Sequence, residues 1–247
     1  MNEKAEADKA DKQSGLWETI KVVLQALALA LVIRTLLFQP FSIPSGSMMP
    51  TLLAGDYLFV NKFTYGYSRY SLPFGPDILD GRVWSGVPER GDVVVFKLPR
   101  DPSIDYVKRV VGLPGERIQV IDGLLHINGE PVRRERSGEF LDDEYGHRVP
   151  VYVETLPNGV SYETLDLNPN GIGDNTRVFE VPADHYFMMG DNRDNSIDSR
   201  FDVRYVPSEN LVGPARVVFF SVGDGAHPLA FWRWPTAMRI SRFFKGL

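Results

Sequence analysis

Two serines stand one residue apart in Pro44-Ser45-Gly46-Ser47-Met48-Met49-Pro50-Thr51-Leu52. Such a hydroxyl pair on a small, proline-bounded segment suits acyl transfer, in which one oxygen attacks a carbonyl and another donates a hydrogen bond to the developing charge. Taken alone, the segment is also that of a solvated linker. A serine nucleophile needs a base, and a second stretch offers one in Asp105-Tyr106-Val107-Lys108-Arg109-Val110-Val111-Gly112-Leu113-Pro114-Gly115-Glu116. Alternation along a strand puts Tyr106, Lys108 and Val110 on one face and Val107, Arg109 and Val111 on the other, so either cation can point inward. A lysine ordinarily titrates near ~10.4, but desolvation disfavours its charged form and brings it toward useful basicity. The alternative is an edge strand with both cations in water. A third stretch, Gly190-Asp191-Asn192-Arg193-Asp194-Asn195-Ser196-Ile197-Asp198-Ser199-Arg200, is dense in short polar groups and could build a hydrogen-bonded scaffold that orients a base. A calcium loop starting at Asp194 would want glycine and glutamate where Ser199 and Tyr205 stand; a polar surface loop is the plainer alternative.

The composition narrows the chemistry. With no cysteine among 247 residues, thiol nucleophiles, cysteine-bound metals and disulfides are excluded. The four histidines, His126, His147, His185 and His227, lack the spacing of a metal pair. A Ser-His-Asp site would need one of them beside Ser47, and His185 falls inside a strand pattern. The net charge of −5 argues against a general nucleic-acid binder. Serine, threonine, lysine, tyrosine and carboxylates remain.

These residues must be positioned by elements whose character changes along the chain. Residues Met1 to Gly15 are charged and small, which predicts a disordered tail. Ile20 to Phe38 is dominated by Val, Leu, Ala and Ile, long enough at ~1.5 Å per residue to cross a hydrocarbon core. Lys4, Lys9, Lys12 and Lys21 precede or enter this span, while Gln39 to Asn61 holds no Lys or Arg, so the N-terminus is expected in the cytoplasm. A cleavable signal peptide, with Ser45-x-Ser47 as its cut site, and a buried core helix are the competing readings. Beyond the span, short runs rich in Val, Ile, Phe and Tyr predict strands at Tyr57–Lys62, Asp92–Lys97, Tyr106–Val111, Arg117–Ile121, Leu124–Ile127 and Glu130–Arg133. Asp122-Gly123 and Asn128-Gly129 are hairpin dipeptides that make 117–133 a meander. Further strands are predicted at Val149–Glu154, Val160–Leu165, Thr176–Val181, His185–Met189 and Ala215–Ser221, and the fold class is mainly β. Ser71–Pro88 and Asn168–Gly173 read as loops. The aromatic and basic stretch from Phe231 to Lys245 suits either a membrane interface or packing on the domain.

In their order, the serine segment, the run Arg90-Gly91-Asp92-Val93-Val94-Val95-Phe96-Lys97, the lysine segment and the Gly190–Arg200 segment resemble bacterial type I signal peptidases, from Phe38 to about Gly213. The resemblance implies a membrane-bound serine endopeptidase that removes N-terminal signal peptides from exported preproteins, cutting after small residues in A-x-A-like sites. It implies Ser47 as nucleophile, Lys108 as general base, and Ser45 with the Ser47 backbone N–H as oxyanion hole. Ser196 would orient the lysine, Asp198 and Arg200 would form a supporting ion pair, and Tyr106 would line the site. No metal or other cofactor is implied. The implied partners are signal peptides, the lipid bilayer and a secretion translocon nearby, with no nucleic acid. The implied location is the bacterial inner membrane, single-pass, with the catalytic domain on the extracytoplasmic side. The expected division is a cytoplasmic tail at 1–19, a transmembrane helix at 20–38, a membrane-anchored catalytic β-domain at 39–117 and 177–225, an inserted β-subdomain at 118–176 and an aromatic, basic C-terminal segment at 226–247. Substrate binding by extension of a sheet edge is expected at Tyr57–Lys62 or Asp92–Lys97. After Arg200 the sequence Phe201-Asp202-Val203-Arg204 departs from the family's aromatic-glycine continuation.

Overall fold

The computed structural model describes residues 2–72, 75–76, 79, 81–84, 86–142, 146–223, 232 and 234–247. Helix α1 (Asn2–Leu36) is followed by β1 (Phe38–Ser42), β2 (Asp56–Asn61), the short β3 (Tyr67–Ser68) and β4 (Arg82–Val83), β5 (Val93–Leu98) and β6 (Asp101–Gly112). Then come β7 (Arg117–Ile121), β8 (Leu124–Ile127), β9 (Glu130–Pro131), β10 (Arg133–Asp142), β11 (His147–Thr155) and β12 (Ser161–Leu165). The chain continues through β13 (Phe179–Glu180), β14 (His185–Met189), β15 (Tyr205–Pro207), β16 (Leu211–Ser221), the short helix α2 (Trp234–Ala237) and β17 (Lys245–Gly246).

The N-terminal region differs from its expected form. Helix α1 begins at Asn2, where a disordered tail was predicted. Ala, Glu, Lys and Gln are strong helix formers, and extending an existing helix is far easier than nucleating one. Its apolar window, Trp17–Leu36, has a mean hydropathy of 1.8, and none of it is buried. A core helix would be covered, so that competing reading is removed. The helix also stops short of the predicted Phe38, which already pairs with Asn61 across β1 and β2.

The central sheet runs β1-β2-β16-β5-β6-β14-β15, with β17 added on β16. The unbroken apolar run of β5 explains its place in the middle: Val93 and Val95 join the core holding Met48, Leu52 and Leu58, while Val94, Phe96 and Leu98 join the opposite core. The predicted meander forms, and Asp122, Gly123, Asn128 and Gly129 all take the positive φ that its tight turns require. Of the predicted Thr176–Val181 strand, Phe179–Glu180 pairs with β7, and Thr176 and Val181 add backbone hydrogen bonds to Val120 and Glu116. Residues 118–176 carry most of two sheets, β13-β7-β8-β9, whose edge strand β13 lies just beyond, and β10-β11-β12. Ile118, Leu125 and Ile127 pack with Phe187 and Met189 of the central sheet, while Val149, Val151 and Leu165 form a small cluster that Met49 of the serine segment packs against. Sheets this small cannot bury a face without help. Of the predicted loop 71–88, the described part includes β4, paired with β3.

The C-terminal segment packs on the domain. Arg242 reaches Asp56, Arg239 donates to the Ala54 carbonyl at 2.8 Å, and Phe243 and Trp234 flank Phe220. Ile240 and Phe244 nevertheless remain exposed, while Phe231 and Arg233 lie outside the described residues.

Candidate active site

Ser47 is placed by its neighbours. Met48 and Leu52 are wholly buried and Ile43 nearly so, which pins the backbone on both sides of the hydroxyl. The turn closes through Met49 N–H to Gly46 O at 3.1 Å and Leu52 N–H to Met48 O at 2.9 Å. Across the cleft, Lys108 of β6 brings its Nζ to 2.7 Å from Ser47 Oγ and to 2.9 Å from the Val107 carbonyl. Ser47 is 8% exposed and Lys108 4%. Burial pushes the Lys108 amine down to about 8, against the pull of Asp198 and Asp191, which favour its charge. Its neutral form can therefore accept a proton from a serine near neutral pH. Ser45 Oγ lies 3.4 Å from Ser47 Oγ, and the Ser47 N–H donates to none of the described residues. Two donors are thus available beside the nucleophile.

Both Lys108 and Arg109 are buried, so β6 is not a solvated edge carrying two exposed cations. Arg109 grips Asp191 with two hydrogen bonds of 2.8 and 2.7 Å, donates to the Gly91 carbonyl at 2.7 Å and covers the Tyr162 ring at 4.1 Å. Thr51, four residues past Ser47, donates to the same Asp191 at 2.5 Å. One carboxylate thereby ties the lysine strand to the serine segment.

The polar segment is the floor of the site. Asn192 donates its backbone N–H to Ser47 O and its side-chain amide to Gly46 O, both at 3.1 Å, and so holds the serine turn directly. Asp198 accepts the Gly190 N–H at 3.0 Å and pairs with Arg200 through two contacts of 2.9 Å. Burial alone would raise the Asp198 carboxyl, but Arg200 and the backbone donors win and hold it below the ordinary carboxylate range. Arg193 forms a bidentate pair with Glu154 of β11 at 2.5 Å, and Tyr162 of β12 donates to the same carboxylate at 2.9 Å. The loop Leu167–Asn168 hangs from Asp194 Oδ2 by two backbone N–H groups, at 2.7 and 2.8 Å. Asn192, Arg193, Asp191, Glu154, Tyr162, Thr51 and Gly190 had no individual role in the sequence; their polarity, or a glycine among polar residues, was the only signal.

Ser196 departs from its expected role. Its Oγ is buried and makes no hydrogen bond among the described residues, so it does not hold Lys108 in this conformation. It presses instead on Gly190, where an added Cβ would fall 2.2 Å from Ser196 Oγ and 2.6 Å from Ser47 O. Tyr106 does sit beside the base, with Lys108 Nζ 5.3 Å from its ring centre. His185 bonds the Ala183 carbonyl at 2.7 Å and is absent from the cleft lining. No described histidine lines the cleft, and His227 lies outside the described residues.

The cleft holds about 870 Å³ and is bordered by Ile43, Ser45, Ser47, Tyr106, Lys108 and Ser196, with the 168–173 loop as its far wall. Neither strand expected to bind substrate is an edge: β2 lies between β1 and β16, and β5 between β16 and β6. The free edges at the cleft are β1 and the first part of β6, whose pairing with β14 begins only at Arg109.

A buried serine faces a buried amine, on a β-domain behind an apolar helix, an arrangement suited to acyl transfer. Residues 16–220 match the family described as "Signal peptidase, peptidase S26". Signal peptidase I of Rickettsia typhi is 42% identical over 238 aligned positions, covering 90% of each chain. That of Rickettsia massiliae is 40% identical over 263 aligned positions, covering 100% of this chain and 97% of its own. A crystal structure of a signal peptidase I from Enterococcus faecalis V583, 27% identical, covers 52% of this chain and 96% of its own with a TM-score of 0.33. The chain belongs to the signal peptidase family, peptidase S26, on the strength of the sequence matches.

Proposed function

We propose that the protein removes N-terminal signal peptides from exported preproteins through a dyad of Ser47 and Lys108. The observation that carries this is the 2.7 Å contact between Ser47 Oγ and a lysine that burial has made easy to deprotonate. Neutral Lys108 takes the serine proton as Oγ attacks the scissile carbonyl. The Ser47 N–H and Ser45 Oγ donate to the oxyanion. Lys108 then hands its proton to the leaving amine, and water activated by the same amine releases the acyl group.

A lysine ammonium has three donors, and two of those on Lys108 already have partners in Ser47 Oγ and Val107 O. Ser196 Oγ, buried at the same cleft with no partner of its own, is suited to accept the third once the lysine is charged. Tyr106 beside the amine keeps bulk water away, and the Asp198–Arg200 pair holds the floor rigid. The substrate strand enters between β1 and the free edge of β6, where backbone pairing aligns it and the shallow apolar walls admit small side chains only. The domain then lies on the extracytoplasmic side of the bacterial inner membrane, near the secretion translocon, with the start of α1 in the cytoplasm. Exposed Ile240 and Phe244 beside the packed C-terminal segment meet the lipid interface in this orientation.

The test is cleavage of a purified preprotein in lipid vesicles by the parent chain, Ser47→Ala and Lys108→Ala, with the product N-terminus sequenced. Cutting after a small-x-small site by the parent alone is expected. Equal cutting by all three would remove the dyad.

A further inference from the structure

The last carbonyls of a helix have no partner within it and must find donors elsewhere. At the end of α1 they are taken by one short segment of the catalytic domain. The Lys62 backbone N–H donates to Leu37 O at 3.0 Å, the Tyr67 hydroxyl to Leu36 O at 2.6 Å, and Lys62 Nζ to Arg34 O at 3.4 Å. The same Nζ donates to Ser71 O, which ties it to the domain. Lys62 is only 3% exposed, and no ion pair engages it among the described residues. One of its two carbonyl partners, Arg34 O, lies in the last turn of α1, where the helix dipole favours positive charge.

The location matters for the reaction. Lys62 directly follows β2, which pairs along its length with β1. Strand β1 emerges from the helix and leads on to Ser45 and Ser47. Any swing of the helix at Leu36 would therefore change how high the cleft stands above the bilayer.

We propose that Lys62 and Tyr67 are positioning residues that clamp the anchor helix to the catalytic domain and so select which peptide bond of a membrane-inserted substrate reaches Ser47. This rests on the signal-peptide reading above, in which the substrate's own apolar helix shares the bilayer with α1. An extended residue spans ~3.4 Å, so a change of a few ångströms in cleft height moves the cut by about one or two residues.

The test uses the full chain in lipid vesicles, as parent, Tyr67→Phe, Lys62→Met, Lys62→Arg and the double variant that combines Tyr67→Phe with Lys62→Met. One substrate is a water-soluble peptide with a single small-x-small site; the other is a membrane-inserted preprotein with two equivalent sites a few residues apart. The soluble peptide should be cut at close to the parent rate by every variant. The ratio of the two preprotein products should shift about fivefold in the double variant, the scale of one net hydrogen bond, with Lys62→Arg close to the parent. Tyr67→Phe keeps the ring and loses one hydroxyl, so it tests the clamp without risk to the fold. An unchanged ratio overturns the proposal, and so does an equal loss on both substrates, which marks a merely structural contact. If the parent cuts neither substrate, the signal-peptide reading itself fails, and the proposal with it.

Discussion

Lys108 Nζ sits 2.7 Å from Ser47 Oγ although 61 positions separate the two residues in the chain. Both are buried, Ser47 at 8% and Lys108 at 4% exposure. The burial makes the lysine a base, so the first consequence is a pH dependence. The rate constant kcat/KM should rise with pH through about 8 as Lys108 loses its proton. Asp198 favours the charged lysine, so Asp198→Asn should move this acidic limb to lower pH. A limb at the same pH in both proteins would show that another group titrates.

The same burial carries a stability cost. Because Lys108 titrates near 8 when folded and near its ordinary 10.5 when unfolded, stability should rise between those pH values. The gap corresponds to roughly 3 kcal/mol, absent at high pH and fully felt below about 8. Lys108→Met should therefore be inactive yet more resistant to urea at pH 7, with its advantage fading by pH 10.5. Equal advantage at both pH values would contradict this origin.

Gly190→Ala should lower kcat sharply while leaving the protein folded. Its new methyl would collide with Ser196 Oγ at 2.2 Å and with Ser47 O at 2.6 Å, and the second contact is backbone that holds the nucleophile. Adding Ser196→Ala should not restore the rate, because the contact with Ser47 O remains. Full recovery in the double variant would show that the serine turn had not moved.

Glu154→Gln should destabilise the chain by about 3–5 kcal/mol, because it leaves a buried arginine uncompensated. Arg193 and Glu154 are 4% and 0% exposed at their side chains and form a bidentate pair. Replacing both, as Arg193→Met with Glu154→Leu, should restore most of that stability in denaturant titrations.

For Ser196→Ala, two measurements separate a working hydroxyl from an idle one. The buried Oγ has no partner, so its removal should raise stability by about 1 kcal/mol. If the hydroxyl receives the charged lysine during turnover, kcat should fall tenfold or more while KM holds, and Ser196→Thr should keep much of the rate. Unchanged kcat with raised stability would leave Ser196 outside the reaction.

Local signals were legible wherever a short stretch decides its own conformation. Asp122-Gly123 and Asn128-Gly129 specified the meander because positive φ is a property of those residues themselves. The run Asp92–Lys97 was readable as a strand, seen at Val93–Leu98, but not as a central one. The free edges of β1 and β6 follow from strand order, which no single segment encodes. The helical start at Asn2 was missed because a charged, small-residue composition describes a tail and a strong helix former equally well.

The site divides in the same way. The chain alone identified the three polar stretches, the apolar anchor and the absence of thiol chemistry, since residue type and spacing are enough for those. The resemblance of those stretches to a family then singled out Ser47 and Lys108. Only the tertiary structure decided that Lys108 and Arg109 are both buried, that Arg109 meets Asp191 while Lys108 meets Ser47, and that Ser196 stands unbonded against Gly190. Those outcomes depend on which surfaces cover each strand, and burial, unlike hydropathy, is a property of the packed whole.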